Sequence, residues 1–315
     1  MADAGYDLIT MGRVGVDLYP AEPGPLATVT TFARSLGGTA TNVAVAAARL
    51  GRRTAVVTRV GADPFGEYVR RALAGFGVDP AFVGTHPDLR TPLAFCALDP
   101  PEDPPLLFYR EPTAPDMTLT AEELPAAAIA GARIFWTIGS ALAAEPSRSA
   151  AIRALQLRER RQWTIFDLDY RPMFWASRED TAREYRRALP LATVVIGNRA
   201  EVAVAVGTDD PDTAADRLLA EGVELAVVKQ GADGVLVATR EERTAVPPVT
   251  VEVVCALGAG DAFGGAFCHG LLAGWAPAAT ARFANAAGAL VASRLACADA
   301  MPAADEVERV LDAAH

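Results

Sequence analysis

The chain reads as an α/β protein built on a mostly parallel sheet with helices on both faces, and three observations point there. Short apolar runs alternate with helix-length segments from about residue 120 onward. Strands that follow one another through helices form parallel sheets covered on both sides. Finally, 315 residues with 51% hydrophobic content suffice for one large domain or a domain with an appendage.

Taken in order, residues 6–11 are a first buried strand ending at Gly12. Residues 37–50 form a glycine turn that runs into an alanine-rich helix. A strand at 54–60 and a helix with an apolar stripe at 64–76 follow. Helix 121–130 then leads to strand 133–138, helix 146–162 to strand 163–168, and helix 179–189 to strand 192–197. Helix 212–221 leads to strand 224–229, and two helices, about 259–273 and 277–294, complete the pattern. Segments 13–35 and 90–111 break this rhythm. They alternate or are interrupted by proline, without a helical period, and read as inserted, partly extended pieces. No internal repeat or low-complexity linker divides residues 1–315.

Net charge is −10 and no basic block occurs, which argues against nucleic acid and anionic membrane as partners. Lys229 is the sole lysine, so arginine supplies every other cationic side chain apart from histidine. Cys96, Cys255, Cys268 and Cys297 are scattered, with no C-x-x-C pair, so neither a disulfide framework nor a zinc site is expected. The N-terminus has no basic-then-apolar signal, and no apolar run reaches about eighteen residues. A soluble, cytoplasmic protein is the expectation.

Chemistry concentrates at Leu257-Gly258-Ala259-Gly260-Asp261-Ala262-Phe263. Small residues let backbone approach an anion, and the first amides of a helix point outward unpaired. An aspartate there can take a proton from a hydroxyl attacking a bound phosphate. Read alone, the same string is a glycine-rich turn with Asp261 near a helix cap. A second string, Gly37-Gly38-Thr39-Ala40-Thr41-Asn42-Val43-Ala44, precedes Gly51, Gly61, Asp63 and Gly66.

Together these two strings, in this order and over almost the whole chain, resemble the two signatures of the ribokinase (PfkB) carbohydrate kinase family. The resemblance implies a ribokinase-like fold in which segments 13–35 and 90–111 make a small β-sheet lid over the sugar, a surface through which two copies can pair. It implies Asp261 as catalytic base, with the amides of Gly258, Ala259 and Gly260 as anion hole. Phosphoryl transfer depends on positioning and electrostatics, so a carboxylate of ordinary basicity is adequate.

Asn198-Arg199-Ala200-Glu201 matches the family's N-x-x-E string, which organises Mg²⁺ and phosphate largely through water. It also reads as a capping box. Lys229 to Gly234 resembles the glycine turn beside ATP, which puts Gly231, Gly234 and Lys229 near the nucleotide, while a plain β-turn is the other reading. Asn285 falls where the family lines the adenine pocket, or is a satisfied core residue. Asp17, Gly38 and Asn42 face the sugar by the same resemblance, Asp17 accepting from its hydroxyls.

Three further strings, residues 11–20, 108–112 and 167–175, are similar to the branch of the family that acts on keto-deoxy sugar acids. They imply the C6 hydroxyl of 5-dehydro-2-deoxygluconate, from myo-inositol breakdown, as acceptor. 2-Dehydro-3-deoxygluconate or a neutral sugar is the alternative. Arg13, Arg110 and Arg171 are candidate partners of the substrate carboxylate, since a guanidinium fork matches it. Each reads equally as a salt-bridged surface arginine in so arginine-rich a chain. One departure stands out: Cys255-Ala256-Leu257 replaces the family's Asp and Thr before Gly-Ala-Gly-Asp. A thiol suits a monovalent cation poorly, which puts K⁺ activation in doubt.

Overall fold

Apolar strands set the architecture. In the computed structural model, which describes residues 5–22 and 24–313, nine strands form one path of a large sheet. Its order is Arg243–Val246, Val235–Ala238, Leu225–Lys229, Val194–Asn198, Thr164–Asp167, Ile134–Ile138, Leu8–Met11, Thr54–Gly61 and Val78–Asp79, with Val83–His86 also paired to Thr54–Gly61. From Leu225–Lys229 to Val78–Asp79 all pairings are parallel; Leu8, for example, lies opposite both Thr54 and Ile134. Strands such as Ile134–Ile138 and Thr164–Asp167 are buried along their whole length, as a sheet covered on both faces requires.

The helices fall close to their expected places: Thr39–Arg49, Pro64–Gly75, Arg178–Ala188, Pro211–Ala220, Ala259–Ala273 and Pro277–Ala292. Small residues bring Ala259–Ala273 tightly onto Thr39–Arg49. A Cβ on Gly265 would lie 2.4 Å from that of Ala46, so only glycine permits this approach. That contact sets the distance between the two signature strings.

Several elements differ from expectation. The helix at 121–130 divides into a turn at Ala121–Glu123 and a short helix at Ala126–Gly131. Pro125 between them has no N–H and disfavours helix at the preceding residue. The helix at 146–162 is shorter, Ser147–Leu157, because Glu159 and Arg160 take left-handed backbone. Val235–Ala238 and Arg243–Val246 extend the sheet antiparallel, and Ala304–Ala313 adds a last helix. None of the three was anticipated.

The two rhythm-breaking segments meet in a second sheet of order Phe32–Gly37, Gly15–Pro20, Leu93–Cys96, Leu106–Tyr109. Residue 23, inside the first segment, lies outside the described residues. Asp17 is opposite Ser35 on one side and Ala94 on the other, and its side chain is buried toward the main sheet. The small sheet thus overhangs the carboxyl ends of the parallel strands.

Candidate active site

Polar residues gather on the rim where the parallel strands end. Arg13 follows Leu8–Met11, Ser140 follows Ile134–Ile138, and Asp167 and Asp169 stand at and just past the end of Thr164–Asp167. Asn198 and Lys229 close the next two strands. Strand order reverses about Leu8–Met11, the place where an open α/β sheet leaves a crevice at its carboxyl edge.

This crevice has two recesses. The first, about 230 Å³, lies beneath the lid and is bounded by Arg13, Asp17, Gly38, Asn42, Phe108, Arg171, Asn198, Glu201, Gly258 and Asp261. The second, about 520 Å³, is bounded by Gly231, Gly234, Val249, Val251, Ala259, Asn285 and Ala289. Glu102, Lys229, Ala256 and Gly260 line both, so the recesses meet at the Gly258–Asp261 turn. Lys229 Nζ is 3.4 Å from the position a Gly260 Cβ would take.

The turn is shaped by its glycine. Gly258 has φ +85°, in the left-handed region, and a Cβ there would lie 2.8 Å from Cys297 Sγ. The amide of Ala259 donates to the Ala256 carbonyl at 3.2 Å, so it is already spent within the turn. That revises the expected three-amide anion hole. The amides of Gly260 and Asp261, at the first turn of Ala259–Ala273, have no carbonyl one turn back within the helix.

Asp261 accepts a hydrogen bond from Asn42 Nδ2 at 2.8 Å, which joins the two signature strings 219 residues apart. Burial pushes its carboxyl up to about 6, against the lowering effect of that bond. Burial likewise raises Asp17 to about 7, opposed by Arg13. Asp167 is pushed well above the usual carboxylate range by burial, with Lys229 pulling the other way. Burial would lower Lys229, but Asp167, Glu201 and Asp261 hold its ammonium above the ordinary lysine value. Asp17, Glu102, Asp103, Asp167, Asp169, Glu201 and Asp261 all line the first recess, against the cations of Arg13, Arg171 and Lys229.

The three candidate arginines are placed differently. Arg13 is buried and braced: Nε donates to Ser140 at 3.0 Å, and Nη2 to Thr39 at 2.6 Å and Asp169 at 2.7 Å. Arg110 pairs with Asp116 at 2.7 Å and lines a small side recess next to Arg13 and Asp17, not the main one. Arg171 lines the first recess, and among the described residues only its Nε is bonded, at 3.2 Å, to Asp169. Asn198 and Glu201 form a reciprocal capping box, Asn198 N–H to Glu201 Oε2 at 2.7 Å and Glu201 N–H to Asn198 Oδ1 at 2.9 Å. Asn285 donates to the Pro247 carbonyl at 2.9 Å on the wall of the second recess.

Sequence reasoning missed Thr39, Ser140 and Asp169, which brace the arginines, and Glu102 at the junction. Asp169 sat inside a string already singled out, two residues before Arg171. Glu102 belongs to a proline-rich lid loop that carried no motif. Cys255 is buried in a cluster with Cys96, Cys297 and Tyr19, and the Tyr19 hydroxyl is 2.9 Å from Cys297 Sγ.

A crevice of this kind, with an acid at a phosphate-sized turn between two recesses under a lid, belongs to a class of small-molecule phosphotransferases. The chain belongs to the PfkB family of carbohydrate kinases, whose model matches residues 7–304. It is 34% identical over 313 residues to a 5-dehydro-2-deoxygluconokinase of Geobacillus thermodenitrificans, covering 97% of this chain and 93% of the relative. Similar enzymes of the same name from Listeria monocytogenes are 32% identical over 97% of this chain. Among solved structures, a fructokinase of Xylella fastidiosa with bound ATP superposes with a TM-score of 0.86 at 28% identity, covering 98% of this chain and 99% of that one. The fold is therefore ribokinase-like and the enzyme a carbohydrate kinase.

Proposed function

We propose that this enzyme uses ATP with Mg²⁺ to phosphorylate the C6 hydroxyl of 5-dehydro-2-deoxygluconate. The observation that carries the reading is Asp261, standing where a charged recess and an apolar one join. The sugar takes the first recess. There Asp17 accepts from its hydroxyls, and so does the buried Oδ1 of Asn42, which has no partner among the described residues. Arg171 meets the carboxylate with its two free Nη groups, while Arg110 and the remaining Nη1 of Arg13 add positive potential behind it. Gly38 lets the helix Thr39–Arg49 begin close to the sugar.

ATP takes the second recess, its adenine against Val249, Val251 and Ala289 beside Asn285, and its ribose and phosphates along Gly231, Gly234 and Lys229. Asp261 receives the C6 hydroxyl proton as that oxygen attacks the terminal phosphoryl group, and ADP leaves with the electron pair of the broken bond between that phosphorus and its bridging oxygen. The Gly260 and Asp261 amides and Lys229 stabilise the equatorial charge. Glu201 and Asn198 would hold Mg²⁺ largely through water, where it would neutralise phosphate charge in a recess rich in carboxylates. Among the described residues no group of three or more His, Cys, Asp or Glu side chains could hold a metal. Cys255, turned into its thiol cluster, offers K⁺ no hard ligand, and no step here runs through a monovalent cation.

The chain works as one kinase unit with the lid inserted. Leu107 and Tyr109 leave an apolar patch on the lid's outer face, half or more exposed, which supports pairing of two copies there. Four free cysteines suit a cytoplasmic enzyme, and no described helix is long and apolar enough to cross a membrane. The test is a panel of 5-dehydro-2-deoxygluconate, 2-dehydro-3-deoxygluconate, ribose and fructose with coupled ADP detection. The first should lead in kcat/KM by at least about tenfold. Equal or better use of ribose would refute the acid-sugar reading.

A further inference from the structure

Asp169 carries no part in the chemistry above, yet it ties the first recess together. Its carboxylate accepts from Arg13 Nη2 at 2.7 and 3.0 Å, Ser140 Oγ at 2.8 Å, Arg171 Nε at 3.2 Å and Thr39 Oγ1 at 3.3 Å. Ser140 closes a ring by accepting from Arg13 Nε at 3.0 Å. These partners come from four separate segments of the chain, so the carboxylate is pinned from several directions. Its backbone has φ +33°, in the left-handed region that a residue with a side chain rarely adopts. Burial alone would raise this carboxyl, but Arg13 and Arg171 hold it below the usual range.

We propose that Asp169 is a positioning residue that aims Arg171 at the substrate carboxylate and thereby sets the preference for an acid over a neutral sugar. The inference rests on the sugar-acid reading above. Two of the three arginines near the sugar already have a buried carboxylate at 2.7 Å, Arg13 with Asp169 and Arg110 with Asp116. Arg171 shares Asp169 through Nε alone, at a longer distance, and its side chain is 37% exposed. Held by that one nitrogen, the guanidinium keeps its outer fork for a ligand. Without the anchor, a long, half-open arginine samples many rotamers and meets a carboxylate only part of the time.

The experiment compares 5-dehydro-2-deoxygluconate with the same skeleton reduced to an alcohol at C1. For Asp169→Asn, KM for the acid should rise about tenfold or more, the size of a lost charged contact. Its kcat, its KM for ATP and its kcat/KM for the alcohol should stay within about threefold. In an Arg171→Ala background the same change should add less than about twofold, because the two act as one unit. Arg171→Lys, which keeps the charge but lacks Nε, should reproduce the selective KM rise and serves if Asp169→Asn folds poorly. Equal losses on both substrates, additive losses in the double variant, or an unchanged KM in either single variant would overturn the assignment. Wild-type enzyme that used the alcohol as well as the acid would instead contradict the sugar-acid reading, whatever the variants did.

Discussion

The two recesses of the crevice are built by opposite means. The first recess is small and crowded with charge, and its side chains are fixed by one another: Asn42 to Asp261 and Arg13 to Asp169. The second recess is larger and is built mostly from glycines, short apolar side chains and backbone, with Glu102, Lys229, Thr250 and Asn285 among its polar lining. Ligand specificity on the first side depends on buried charges that are costly to leave unpaired. On the second, in the proposed reading, it depends on shape, so single substitutions along the apolar wall should have small effects.

The comparison is sharpened first at the junction. Lys229→Met removes the one ammonium that faces both recesses and should lower kcat about 100-fold or more, read by coupled ADP release. A variant with unchanged kcat would place phosphoryl charge elsewhere. On the sugar side, Arg171→Ala should raise KM for the keto acid by roughly 10- to 100-fold and leave KM for ATP unaffected. A comparable rise in KM for ATP would blur the two recesses into one.

Acidity offers a third, smaller effect. Asp261 must be ionised to accept a proton, and burial raises it to about 6, with Asp17 at about 7. Turnover should therefore climb as pH rises through about 6 to 7 and level off above. It should fall close to tenfold per unit between those two values and approach a hundredfold per unit below both. Asp17→Asn should leave a single step near 6, and a profile already flat at pH 5 would argue against a raised base. The smallest change is expected on the apolar wall. Asn285→Ala loses one hydrogen bond, to the Pro247 carbonyl, and should raise KM for ATP only about two- to fivefold.

This division also explains what could be read from the chain beforehand. Turns that bind phosphate need glycine at particular backbone angles and an immediate helix start, so Gly258 to Asp261 was legible as a local string. The helix it opens spans Ala259–Ala273, as its composition indicates. The arginines were harder. Whether Arg13 touches ligand or braces the site is decided by Asp169, 156 residues away, and by no neighbour in sequence. The family resemblance offered all three arginines alike as partners of the substrate carboxylate, and only tertiary pairing distinguishes Arg171 from the other two. Pro125 carried the signal for a break that the helix expected at 121–130 ran through, whereas Val235–Ala238 joins the sheet through a hairpin to Leu225–Lys229 that four apolar residues could not signal.

The Asp261→Asn variant tests the assignment of the base most directly. With saturating keto acid, kcat should drop by about a thousandfold or more, while ATP affinity measured by calorimetry stays within about twofold of wild type. A variant that keeps most of its turnover would show that the proton leaves by another route and that this carboxylate is not the base.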